Sequence, residues 1–79
     1  MPLFFFDISN GRADRDAEGF ECASLDHART QAIRFTGELL QLHSDWIWEG
    51  HDLRVEVSND THTPLFDVVT RARNLFPAS

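Results

Sequence analysis

Only one stretch of this sequence repeats its apolar residues with the period of an α-helix, and that limits the chain to folds built around a single helix. Leu25, Ala28, Ala32, Phe35, Leu39 and Leu42 recur at spacings of 3, 4, 3, 4 and 3, which sets them on one helical stripe. Ser24 is a good N-cap, and Asp26 places a negative charge at the positive end of the helix dipole. Gly37 lies off the stripe and costs about 1 kcal/mol relative to Ala in a helix interior. The sequence therefore predicts either a locally weak helix there or a close neighbour. The stripe is short for a coiled coil and carries two Ala, so a helix laid on a sheet is the better reading.

On either side of the helix the period changes to that of strands. Pro2 to Ile8 is an aromatic β-prone run closed by Ser9-Asn10-Gly11, a turn signal. Arg12 to Glu18 is polar, and Phe20 to Ala23 alternates weakly, as a second strand returning beside the first. Beyond the helix, Leu53, Val55 and Val57 face one way while Arg54, Glu56 and Ser58 face the other. Asn59 to Pro64 is turn chemistry, Leu65 to Thr70 reads as a fourth strand, and residues 71–79 read as a frayed tail carrying Leu75 and Phe76. The expected fold is α+β in the order β-β-α-β-β, an antiparallel sheet with one helix packed on one face.

At 79 residues the chain makes one small domain, residues 1–79, and a domain of this size buries too little surface for a wide margin of stability. Self-association is a common remedy. Cys22 is the single cysteine, so no internal disulfide can staple the fold, which suits a reducing compartment. The N-terminal run meets Asp7 too early for a secretory signal, and no apolar run is long enough to span a bilayer. The expected compartment is the cytoplasm. Thirteen acidic against seven basic residues, all of the latter Arg, make the protein acidic, with a formal charge of −6. That field disfavours nucleic acid and anionic membranes as partners.

Several residues resemble one known family. The opening Met1-Pro2 followed by Phe4-Phe5-Phe6-Asp7-Ile8, the Asp16 to Gly19 turn, the Leu25, Ala28 and Ala32 helix start, and Asp52-Leu53-Arg54-Val55-Glu56-Val57 resemble short uncharacterised proteobacterial proteins known only as a domain of unknown function. The resemblance covers nearly the whole chain and implies no activity, cofactor or partner. A looser, topological similarity is to HicB-type antitoxins, which share the aromatic opening strand, hairpin and Ala-rich helix; the appended DNA-binding segment common there is missing here.

The residues that could carry chemistry each have a plainer use. Asp14, Asp16, Glu18 and Gly19 imitate the first half of an EF-hand loop, but Leu25 stands where a bidentate Glu should close the calcium shell. His27, His43, His51 and His62 are not paired at zinc-ligand spacing. Cys22 with His27 lacks any surrounding nucleophile motif, and Asp7 has no companion carboxylates at comparable positions. No catalytic residue, metal ligand or cofactor is therefore assigned, and no enzyme is expected.

A contact surface is the remaining expectation. With Phe4, Phe6 and Ile8 beneath the helix, alternation turns Leu3 and Phe5 to the far face, where no second helix exists to cover them. Trp46 and Trp48, two apart, project to one side if extended, either capping the core or anchoring a contact. Leu3, Phe5, Trp46 and Trp48 are thus the candidate interface of a non-enzymatic interaction module acting as a homodimer. The alternatives are an antitoxin-like or regulatory protein that binds another protein, and a small metal-dependent enzyme.

Overall fold

The computed structural model describes residues 2–76. Met1 and the last three tail positions, 77–79, lie outside the described residues. The chain runs β1 (Leu3–Ser9), β2 (Ala13–Asp14), β3 (Phe20–Glu21), α1 (Leu25–Leu42), a 3-10 turn (Trp46–Glu49), β4 (Leu53–Ser58) and β5 (Pro64–Thr70). One helix and an antiparallel sheet make the α+β fold read from the sequence. The sheet order is β2-β1-β4-β5, with β3 also on β1.

β2 and β3 are two fragments of one outer strand: β2 pairs with Ile8 and Ser9, β3 with Leu3 and Phe4. Alternation alone located the second fragment and read the first as loop. The gap between them is bridged by a side chain. Asp16 accepts the Phe6 backbone N–H at 3.2 Å, while its own N–H donates to Asp7 Oδ1 at 2.8 Å. The same carboxylate accepts the amides of Glu18 and Gly19 at 3.1 and 3.0 Å, an Asx-type turn that shapes the loop.

α1 begins where the cap signal places it. Ser24 Oγ accepts the His27 N–H at 3.1 Å, satisfying one of the unpaired amides of the first turn. Ala28, Ala32, Thr36 and Leu39 are buried along it, and the small Ala side chains let the helix approach the sheet closely. Buried Thr36 donates its hydroxyl to the Ala32 carbonyl at 2.8 Å, so no polar group is left bare. The ends of the expected stripe are corrected: Leu25 and Leu42, the first and last residues of α1, are exposed. Gly37 has no neighbour, since a methyl group built on it meets nothing within 4 Å.

The core lies between α1 and one face of the sheet. Phe4, Phe6, Leu53, Val55 and Val57 are buried there with Cys22, Ala28, Ala32, Leu39 and Ile47, and Ile8, Phe35, Phe66 and Val68 pack against them. Phe6 meets Phe35 and Phe20 edge-on, each at a centroid separation of 6.2 Å. Phe4, Phe6 and Ile8 thus lie on the helix side, and the strand register follows from the alternation.

Candidate interaction surface

The four residues expected at an interface are not brought together. Leu3 is half-buried and lies against Gly19, where an added methyl would meet its Cγ at 2.9 Å. Phe5 is on the far face, but it is not left wet as alternation implied: it is only 8% exposed. The β4–β5 turn supplies the cover. Asn59 Oδ1 accepts the amides of Thr61 and Thr63 at 3.1 and 2.9 Å, and the turn holds His62 at a positive φ of 61°. That conformation lays the imidazole on Phe5, with ring centroids 4.3 Å apart.

Trp46 and Trp48 are also corrected. They sit in a 3-10 turn rather than an extended segment, and with three residues per turn, positions two apart point in different directions. Trp46 packs against the core and stacks on His43 at 3.8 Å, whereas Trp48 is 59% exposed. Buried Ile47 between them holds the turn down.

Apart from Leu65 and Val69 at its β5 edge, the rest of the far face is polar. Asp7, Glu56 and Asp67 form one row across β1, β4 and β5. Arg54 Nε donates to Asp67 Oδ2 at 2.8 Å, and its Nη2 reaches Glu56 at 3.4 Å. These contacts, that to Asp67 foremost, hold the guanidinium in its charged form. Beyond β5, Arg71 clamps Asp52 with two hydrogen bonds of 3.0 Å and holds that carboxyl below its ordinary range.

The two sheet edges differ sharply. On one side the outer strand is cut into two-residue pieces, and a carboxylate occupies the gap. Short, interrupted edges of this kind prevent pairing with another chain. The other edge is β5, seven residues long and terminal in the sheet. Its side chains include Leu65 and Val69, exposed at 42% and 53%. A bulge falls on β5 itself: Val57 pairs with Phe66 and Ser58 with Pro64, so Leu65 is the extra residue, and the ladder is regular from Phe66 to Thr70. Periodicity could find β5 but not its position at an edge, which depends on pairing across the chain.

The groups weighed for chemistry are used locally. His27 Nδ1 accepts the Ala23 N–H at 2.9 Å, which places His27 in the helix cap. Cys22 is fully buried, and burial pushes its thiol pKa up, the reverse of what a nucleophile needs. Asp16 is committed to backbone amides. Among the described residues, no three His, Cys, Asp or Glu side chains gather where they could hold a metal. A groove of about 560 Å³ opens between α1 and the outer strand, floored by Phe6 and Ile8 and flanked by Phe20, Phe35, Arg15 and Arg34. No helix among the described residues is long and apolar enough to cross a membrane.

Neither a curated protein nor a solved structure matches the chain, and nothing in these comparisons supports the antitoxin likeness. Residues 3–70, which contain α1 and every strand among the described residues, match the model of the family described as Domain of unknown function (DUF6894), and the chain belongs to that family.

Proposed function

We propose that the protein is a non-enzymatic protein–protein interaction module of the reducing cytoplasm, acting as a homodimer and binding neither nucleic acid nor membranes. The observation that carries this reading is the open β5 edge beside a deliberately interrupted opposite edge. An unpaired strand presents a row of backbone donors and acceptors that a second strand can satisfy, and natural sheets usually guard such a row with Lys, inward charges or shortness. Here Pro64 and the bulge guard only the first residues, and Asp67, the one charge on β5, is paired within the chain with Arg54. Exposed Leu65 and Val69 add apolar area on the far face. The thin margin of a 79-residue domain gives association a stabilising role as well.

Cytoplasmic placement is supported by the single buried thiol, which needs no oxidising compartment. The negative net charge and the use of Arg29, Arg54 and Arg71 in ion pairs support the exclusion of phosphate backbones. Sedimentation velocity on the full chain at tens of micromolar tests the reading. A dimer mass that dissociates on dilution is expected, and a monomer throughout the concentration range refutes it.

A further inference from the structure

We infer that two copies of the chain join β5 to β5 in antiparallel register about a two-fold axis at Asp67, making one continuous sheet across both. This rests on the proposed self-association and names its surface. The sequence of β5 is nearly palindromic in polarity about that point: Leu65 and Phe66 precede Asp67, and Val68 and Val69 follow it. With the axis at Asp67, Leu65 of each copy stands beside Val69 of the other on the far face, and Phe66 stands beside Val68 on the helix face. Both faces are matched at once.

Shifting the axis by one residue keeps the β5 edges together but loses these pairs. An axis at Val68 sets Phe66 opposite Thr70 and Asp67 opposite Val69; an axis at Phe66 sets Leu65 opposite Asp67 and Pro64 opposite Val68. Cross-strand apolar pairs are the unit of sheet stabilisation; the central register makes four of them, whereas the shifted registers keep the self-pair Val68–Val68 or Phe66–Phe66 and set polar residues against apolar ones. The cost is Asp67 facing Asp67, a like-charge contact that Arg54 of each copy, 2.8 Å from its own Asp67, largely offsets. Glu56 shares the same guanidinium, so the two arginines together serve four carboxylates along this row.

The groove beside Phe20, between α1 and the outer strand, lies at the opposite edge of the sheet from β5 and takes no part.

Disulfide trapping in the full chain tests the register, because buried Cys22 stays silent. Directly opposed residues in an antiparallel ladder have Cα atoms about 4.5–5.5 Å apart, within the reach of a disulfide. Asp67→Cys is expected to form a covalent dimer with itself under mild oxidation. Val69→Cys and Leu65→Cys are each expected to fail alone, since four residues of offset separate like positions by about 13 Å. An equal mixture of the two is expected to cross-link. In parallel, Val69→Lys, at an exposed site that leaves the core untouched, should weaken the dimer by about tenfold or more, as expected from lost cross-strand pairs plus a new charge. Asp67→Asn should tighten it. If the wild type is a dimer but Asp67→Cys does not cross-link and Val69→Lys has no effect, the β5 register is overturned while self-association stands. A tighter cross-link at Val69 than at Asp67, or weakening by Asp67→Asn, also overturns it. A monomeric wild type removes both.

Discussion

Replacing Gly37 by Ala should make this protein more stable. Gly37 lies in the C-terminal half of α1 with open space where its side chain would be: an added methyl meets no atom within 4 Å. Its backbone is helical, so Ala adopts it without strain. In a helix interior Gly is about 0.8–1.0 kcal/mol worse than Ala, chiefly because its unfolded backbone has more freedom to lose. With nothing to clash and nothing to bury, nearly the whole of that difference should appear, about 0.8 kcal/mol. For a domain of this size each kcal/mol moves the melting temperature by about 4–8 °C, so Gly37→Ala should raise it by about 3–6 °C. Thermal unfolding followed by far-UV circular dichroism reads this directly. A urea titration should show a higher midpoint at an unchanged slope, the sign that stability rather than compactness changed. Gly50→Ala is the matched control. It too has nothing within 4 Å, but its φ is 93°, a left-handed conformation that costs a non-glycine residue about 1–2 kcal/mol. Two substitutions with the same free space should therefore move stability in opposite directions. A fall in stability for Gly37→Ala would refute the reasoning and would mean that a second chain packs on this face of α1.

Leu39→Ala should cost about 2–5 kcal/mol, enough to unfold much of the population of a marginal domain, and chemical denaturation checks it. Phe5→Ala should cost about 3–5 kcal/mol although Phe5 is on the face away from the helix, because His62 stacks on it; His62→Ala should expose Phe5 and cost less. A Phe5→Glu chain is accordingly expected to lose stability, and a variant that melts like the wild type would show the ring pair to be idle. Burial raises the Cys22 pKa from its ordinary 9.0, so the folded state favours the neutral thiol. That contribution is complete below pH 9.0 and declines as the pH rises through the raised value; Cys22→Ala should flatten the alkaline loss, measured by denaturation across that range.

Much of the fold was legible because local signals and long-range packing agree. Ser24 and the Leu25-to-Leu42 spacing gave the helix its ends, and alternation gave β4 its inward Leu53, Val55 and Val57. The misreadings arise where spacing is too short to define a period or where the partner lies far along the chain. Trp46 and Trp48 are two apart in both an extended segment and a 3-10 turn, and only Gly50 at a positive φ marks the turn's end. β2 is two residues long, held by β1 and by an aspartate rather than by any pattern of its own. The cover on Phe5 comes from His62, whose position depends on the Asn59 turn and on β1 lying beside β4. The contact surface was the least visible part, since exposure of Leu65 and Val69 follows from β5 being last in the sheet.

The carboxylate of Asp16 in the gap of the outer strand has a consequence for how the molecule breathes. Ordinary ladder amides are released only when a strand separates, but the Phe6 amide is held by one side chain on a surface loop. Opening of residues 15–19 should free that amide to exchange with solvent while the flanking pairs at Phe4 and Ile8 stay closed. Phe6 is buried, and its ring meets Phe20 and Phe35 edge-on in the core. The sheet therefore contains a point at which a local, low-energy fluctuation reaches the backbone of a buried residue without any global unfolding. Amide exchange by nuclear magnetic resonance would place Phe6 among the faster sites of β1, with a rate set by the loop rather than by the stability of the whole domain.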